Sequence, residues 1–233
     1  MLYLIDPSNY DLYRSEIDEM YRLRYKVFHE RLKWDVKAQD GMEKDEYDEK
    51  NAHYIVYKDG RGVIRGCIRI IEMTNPCMFD GPFSFLLPAL RDYKCSGYWE
   101  ISRFAVDHDH GGSYTAKEAE KVFPSILAGI MEFGLYVERV ECYLSISYPS
   151  VTKLGALYGL LMASIKESEI NGETIIVSGY SPLRVPYKKL LRRIGHTGSN
   201  RLLNPVGSPF ETSYNLGLLP ESEMQPAFGF SSI

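Results

Sequence analysis

The chain is poor in cysteine, in histidine and in net charge, and each scarcity removes a class of protein. Its four cysteines, Cys67, Cys77, Cys95 and Cys142, stand apart with no CxxC spacing. That argues against a disulfide framework and a thiolate zinc site, and predicts free, mostly packed thiols. Of five histidines only His108 and His110 are close, in DHDHGG. Alternating His and Asp can bind a metal, but a polar turn containing glycine accounts for the same string, and no metal is expected. The 27 basic and 31 acidic residues leave a formal net charge of −4, which points to neither nucleic acid nor an anionic membrane surface. No apolar run reaches the length of a membrane span, and MLYLIDPSNYDLYR lacks the basic-then-apolar order of a signal peptide. A cytoplasmic protein is expected.

What is present is enough for a core: 233 residues, 45% of them hydrophobic, suit one domain of moderate size. After Pro7 and the cap candidates Ser8 and Asn9, a helical pattern extends to about Lys33, and an acidic loop follows. HYIVY (53–57), the turn KDGRG and VIRGCIRII (63–71) read as a β-hairpin. Residues 72–97 read as irregular structure around a short helix at SFLLPALRD. YWEISRFAV (98–106) is a strand, and a helix from about Thr115 carries a kink signal at Pro124. VECYLSIS (140–147) is a further strand, PSVTKLGALYG (149–159) a helix, and LMASIKES and ETIIVSGY two more strands. This order suits a mixed sheet with helices on both faces.

The stretch with the most chemistry is RYKVFHERLKWDVKAQDGMEKDEYD, from Arg24 to Asp48. Met20, Leu23 and Val27 lie at helical spacing, with Arg24 and Phe28 four apart on a neighbouring stripe. Glu43, Asp45, Glu46, Asp48 and Glu49 then crowd around Lys44 and Tyr47, an arrangement that repels itself unless something cationic sits among the carboxylates. One guanidinium, the rings of Phe28 and Trp34 and a carboxylate cluster could hold a ligand that is zwitterionic, aromatic and cationic at once, and S-adenosylmethionine is such a ligand. Downstream, alternation sets Arg69 on one face with Cys67 and Ile71, where a lone guanidinium needs an anionic partner, from substrate or enzyme. Glu100 and Arg103 fall on opposite faces of their strand unless a bulge turns one of them. A carboxylate buried in a strand this apolar is a stronger base than one in water, as a general base near neutral pH requires.

RLRYKVFHERLKW followed by MEKDEYD, with Arg69 in CIRI and Glu100 and Arg103 in YWEISRFAVD, closely resembles the signature of the acyl-homoserine-lactone synthases, the autoinducer synthases of bacterial quorum sensing. The resemblance covers roughly residues 1–180 and implies an acetyltransferase-like α/β (α+β) domain. Such a domain is an α-β-α sandwich with a mixed, mostly antiparallel sheet that splays to admit a pantetheine arm. Residues 181–233 would be an extension, a basic helix and then a flexible tail. The implied reaction has two steps: the amine of S-adenosylmethionine attacks an acyl thioester of acyl-carrier protein or coenzyme A, and the methionyl carboxylate then closes the lactone and expels methylthioadenosine.

By that resemblance Glu100 accepts the amine proton, and Asp45, Asp48 and Arg69 hold the ligand, with Arg103 near the carbonyl or bracing a carboxylate. Arg24, Phe28 and Trp34 enclose the ligand, Phe83 shapes the site, and no cofactor is needed beyond the two substrates. Candidate acyl-pocket walls are Phe104, Met131 and Leu144. Donor docking falls to Lys153, the one cation on PSVTKLGALYG, or to the later cluster Lys188, Lys189, Arg192 and Arg193.

Three other readings compete. An acetyltransferase-like N-acyltransferase acting on another amine would want a basic or amide-bearing pyrophosphate loop, which DHGGSYTAK lacks; the Gly-rich turn is flanked by Asp107 and Asp109. A methyltransferase would want a Gly-rich turn after its first strand, and the early chain has none. A non-catalytic binding module would make no product.

Where family members that accept 3-oxo chains often carry a Thr, this chain has Leu144. An oxo group meeting no hydroxyl there would be desolvated without compensation. The expected product therefore carries an unsubstituted acyl chain. Mass spectrometry of culture medium checks this: a predominantly 3-oxo lactone contradicts it, and no acylated lactone at all favours the other readings.

Overall fold

The computed structural model describes residues 1–48, 51–89, 91–109, 114–182, 187, 191–192 and 203–204. The chain opens with strand β1 (Leu2–Ile5) and helix α1 (Arg14–Arg24), which widens into a π-helical turn over Tyr25–Arg31. A small hairpin of β2 (Ala38–Gln39) and β3 (Met42–Glu43) follows. The long strands β4 (His53–Lys58), β5 (Ile64–Glu72) and β6 (Tyr98–Val106) come next, with short 3₁₀ turns between β5 and β6. Helix α2 (Ala116–Glu132), β7 (Cys142–Ser147), α3 (Pro149–Leu157), β8 (Ala163–Ile170), β9 (Glu173–Tyr180) and β10 (Leu203–Asn204) complete the described elements.

The strands expected at 53–57, 63–71, 98–106 and 140–147 are β4 to β7, and the last two expected strands are β8 and β9. All lie in one sheet in the order β10-β1-β4-β5-β6-β7-β9-β8, antiparallel except for the β10–β1 and β6–β7 pairs. Helices cover both faces, which is the expected acetyltransferase-like α-β-α arrangement. The α1 face carries Tyr54, Val56, Cys67, Ile71, Ala105 and Leu144. The opposite face packs Ile55, Ile68, Ile70, Trp99 and Ile101 against Ile126, Leu127, Ile130 and Met131 of α2. Strands buried on both faces read as near-continuous apolar runs, as IVY and CIRII do.

Some local readings differ. The structure begins α1 at Arg14, because Asn9 closes a turn instead of capping a helix: its Oδ1 accepts the Asp6 N–H (2.9 Å) and its Nδ2 donates to the Leu4 carbonyl (3.3 Å). Strand β1 was too short to stand out from the pattern, and it gains its strand character from pairing with β4. The acidic loop contains a hairpin whose turn, Asp40-Gly41, has positive φ at both positions (52° and 72°), the geometry an Asp-Gly pair favours. The expected helix at SFLLPALRD is a 3₁₀ run, Ser84–Ala89. Two residues of the segment expected to be an extension, Leu203 and Asn204, pair with β1.

The splay is set between β6 and β7. They pair only from Tyr98↔Cys142 to Ile101↔Ser145, after which each continues without the other. β6 stays on β5, but between Cys67↔Ala105 and Arg69↔Ser102 it spends two residues, Arg103 and Phe104, against the single Ile68. This bulge holds Arg103 at φ 53°, a conformation that bulges accommodate in the left-handed region. Below, α2 starts at a reciprocal cap in which Thr115 Oγ1 accepts the Glu118 N–H (3.3 Å) and Glu118 Oε2 accepts the Thr115 N–H (2.8 Å), and it continues through Pro124.

Helix α2 approaches the sheet closely over Gly66, where a Cβ would stand 2.5 Å from Val122 Cγ1 and 2.8 Å from Ile126 Cδ1. Gly66→Ala must therefore push the helix or two core side chains aside. A loss of about 1–3 kcal/mol is expected, read from urea denaturation, and an unchanged midpoint would mean that this face yields freely.

Candidate active site

The acidic loop turns three carboxylates inward: Glu43, Asp45 and, through the 3₁₀ turn Glu46–Asp48, Asp48 are buried while Lys44 and Glu46 are exposed, Glu46 pairing with Lys37 (2.7 Å). The cation that the inward carboxylates require is the protein's own. Arg24 from α1 binds Glu43 through Nε (2.5 Å) and Asp48 through both terminal nitrogens (2.7 and 2.8 Å). Arg103 from the β6 bulge binds Glu43 (2.9 Å) and Asp45 (2.7 Å). Arg69 from β5 binds Asp45 and Asp48, the latter at 3.0 Å. The order Arg24, Glu43, Arg103, Asp45, Arg69, Asp48 and back to Arg24 is a closed ring of alternating charge.

Burial of these groups would by itself be prohibitive, and the ring answers it with bidentate and bridging contacts. Burial would raise the Asp48 carboxyl, but Arg24 and Arg69 more than offset it and hold the group well below the ordinary carboxylate range. Burial likewise works against the charge of Arg24 and Arg69, and their carboxylate partners keep both guanidiniums firmly protonated. Tyr54 on β4 donates to Asp48 Oδ1 (2.9 Å), Ser102 Oγ accepts from Arg69 Nε (3.1 Å), and the Asp45 N–H donates to Asp48 Oδ2 (2.8 Å). Tyr54 and Ser102 carried no role in the sequence reading, and Glu43 entered it only as one of the crowded carboxylates. The partners that give Tyr54 and Ser102 a purpose are distant in the chain.

Within this cluster two buried polar atoms have no partner: Arg69 Nη2 and Glu100 Oε1. Glu100 is 2% exposed, and its other oxygen accepts the Met78 N–H (2.8 Å). The bulge resolves the question of faces. Arg103 Nη1 lies 3.1 Å from Met78 Sδ, so Glu100 and Arg103 both reach the Met78 turn despite their odd spacing. A guanidinium N–H and a carboxylate oxygen left open on one sheet face, Arg69 on β5 and Glu100 on β6, can take an anion and an ammonium, respectively.

The two aromatic candidates pack on each other. Trp34 stacks on Phe28 (centroids 5.1 Å, 12° between planes), its backbone N–H donating to the Phe28 carbonyl at 2.9 Å, and Arg103 stands over the Phe28 ring at 5.8 Å. Tyr148, before α3, meets Trp34 at 6.0 Å. Phe83 is half-buried against the same core, and Arg24 is fully buried with its guanidinium bound to Glu43 and Asp48.

The acyl-pocket candidates divide. Leu144 is fully buried on the α1 face, in register with Glu100, while Phe104 and Met131 pack on the α2 face, Phe104 against Phe123 (5.0 Å). Lys153 is exposed on α3 beside exposed Val151, Leu154 and Leu157. Arg192 is exposed; Lys188, Lys189 and Arg193, like His110, lie outside the described residues. Asp107, the first residue of DHDHGG, is paired with Lys26 (3.0 Å) and Arg65 (2.7 Å).

The profile of the autoinducer synthases matches residues 8–196. An acyl-homoserine-lactone synthase of Vibrio anguillarum is 32% identical over 179 residues, which are 75% of this chain and 90% of that protein. Another, of Agrobacterium fabrum, is 32% identical over 181 residues, 76% and 84% of the two chains. Among solved structures, a CoA-dependent acyl-homoserine lactone synthase, BjaI, with SAM and isopentyl-CoA superposes with a TM-score of 0.75 at 22% identity, covering 89% of this chain and 94% of that one. At that identity the likeness is one of fold. Among the described residues no helix is long and apolar enough to cross a membrane.

Removing one member of a buried ion network strands its partners. Arg24→Met is expected to cost about 3–5 kcal/mol in urea denaturation, far more than a surface arginine. Because the Asp48 carboxyl is depressed in the folded state, its contribution is fully present above about pH 4, the unfolded value, and is lost as pH falls through the depressed one. A melting temperature that stays flat from pH 5 to well below pH 4 would contradict the ring.

Proposed function

The chain belongs to the autoinducer synthase family, and on that footing we propose how its residues divide the work. It is an acyl-homoserine-lactone synthase, an acyltransferase. It moves an acyl group from acyl-carrier protein or acyl-CoA to the amine of S-adenosylmethionine, then closes the lactone and releases methylthioadenosine, making a quorum-sensing signal. S-adenosylmethionine is a substrate and no cofactor is assigned. The enzyme acts in the cytoplasm, where both substrates are at hand.

The observation that carries the residue assignments is the pair of open atoms, Arg69 Nη2 and Glu100 Oε1, buried within one cluster. The methionyl carboxylate lies on Arg69 and the amine on Glu100, with the adenosyl and sulfonium part toward Phe28, Trp34 and Phe83. Asp45 and Asp48 act on the ligand through Arg69, whose guanidinium they aim, and Arg103 holds Asp45 and Glu43 in turn. Glu100 takes the ammonium proton, directly or through water. The freed nitrogen attacks the thioester carbon; as the carbon–sulfur bond breaks, the nitrogen's second proton passes to the departing thiolate, giving amide and thiol, and Glu100 returns the first proton to solvent. Backbone N–H groups at the edge of β6 beyond Ile101, no longer paired with β7, stabilise the oxyanion. The carboxylate then attacks its own γ-carbon and displaces the neutral thioether, a step that depends on Arg69 holding the chain folded in a near-attack shape. Leu144, in register with Glu100, begins the acyl pocket and Phe104 and Met131 extend it. Lys153 and the later basic cluster meet the donor.

Glu100→Gln keeps shape and removes the proton acceptor. Its turnover is expected to fall by about 10²–10⁴-fold while S-adenosylmethionine still binds within a few-fold of wild type by calorimetry. Near-normal turnover would take Glu100 out of the chemistry. Wild-type protein that yields neither lactone nor methylthioadenosine with either donor would overturn the proposed reaction itself.

A further inference from the structure

A third polar group at this site is open. Tyr47 lies in the 3₁₀ turn Glu46–Asp48, between two carboxylates of the ring, and is half-buried. Its backbone N–H donates to Asp45 Oδ1 (2.9 Å), and its ring faces the Arg69 guanidinium, whose Cζ is 5.8 Å from the ring centroid. Among the described residues its hydroxyl makes no hydrogen bond. The hydroxyl reaches the backbone at Gly81, where a Cβ would stand 2.0 Å from its oxygen, so the phenol keeps its position only because residue 81 has no side chain. Gly81 belongs to the Met78 turn that binds Glu100, its N–H donating to the Met78 carbonyl (3.3 Å).

The surroundings make this hydroxyl a donor. Burial first, and then the fields of Glu46, Asp45, Glu100 and Asp80, push the phenol above its ordinary value and keep it protonated at neutral pH. Two open donors therefore belong to neighbouring groups, the Tyr47 hydroxyl and Arg69 Nη2, and Glu100, whose Oε1 is an open acceptor, binds the same turn that the hydroxyl reaches. A pair of donors suits an anionic group with two oxygens. Packing alone would be served by a phenylalanine, whereas a hydroxyl covered by a ligand must find a partner or lose its hydration uncompensated.

We propose that Tyr47 is a substrate-binding residue: its hydroxyl donates to the carboxylate of S-adenosylmethionine beside Arg69 and helps hold that carboxylate for lactone closure. This rests on the reading of the site given above. Tyr47 thereby selects for an acceptor that carries an α-carboxylate, and Gly81 is the space that permits it.

The test compares calorimetric binding of S-adenosylmethionine and of decarboxylated S-adenosylmethionine to the full chain, in wild type and in Tyr47→Phe, which keeps the ring against Arg69. About a tenfold loss is expected for S-adenosylmethionine, the size of one hydrogen bond to a charged group, with no change for the decarboxylated compound. Gly81→Ala, which displaces the hydroxyl without removing it, should give the same selective loss if Tyr47→Phe proves unstable. Equal losses for both ligands, or none for either, overturn the proposal. Failure of the wild type to bind S-adenosylmethionine would instead overturn the underlying reading of the site.

Discussion

A buried carboxylate needs a cation, and in this protein that requirement draws four parts of the chain to one place. Arg24 comes from α1, Glu43, Asp45 and Asp48 from the loop after it, Arg69 from the middle of the sheet and Arg103 from a bulge in β6. None of the six could be buried alone, since an isolated ion in such surroundings would neutralise or drag in water. Together they balance in charge and leave few lone pairs or protons idle. A ring of this kind is weak evidence for added stability, because an apolar cluster of equal volume would often do as well. What an apolar cluster could not do is hold a guanidinium in the sheet with one N–H still open. The ring aims Arg69.

The sheet also separates two chemistries. On the α2 face the contacts are apolar and close, with α2 seated over Gly66 and the rings of Trp99, Phe133 and His53 meeting edge to face. On the α1 face the same strands carry Arg69, Glu100 and Ser102 among apolar neighbours. β6 and β7 stop pairing after Ile101↔Ser145, and just before that point the register sets Glu100 beside Leu144. A polar carboxylate and an apolar side chain therefore meet at the edge of the splay. The strained φ of Arg103 sits at the same level and is held by two carboxylates, a local cost met by strong ion pairs.

Much of this was legible in the residues. The long strands were marked by runs of β-branched and aromatic residues, α1 by apolar spacing, and the site by a dense cluster of carboxylates next to a lone arginine and tryptophan, because periodicity and charge density are local properties. The elements that did not show were those whose identity comes from a distant partner. Strand β1 is four residues that become a strand by lying on β4, and the helix start moved because Asn9 found two backbone partners in a turn.

The sequence by itself determined which side chains are available: a crowd of carboxylates, arginines to meet them, an aromatic pair and a carboxylate in an apolar strand. Only the tertiary structure decided how they are used. It bound Arg24 to Glu43 and Asp48, brought Arg103 to the Met78 turn that Glu100 also binds through one extra residue in β6, and joined Tyr54 and Ser102 to the ring from strands far along the chain. The reason is physical. Residue type fixes charge and shape, but whether a buried donor is satisfied or left open depends on contacts between segments that sequence spacing does not specify.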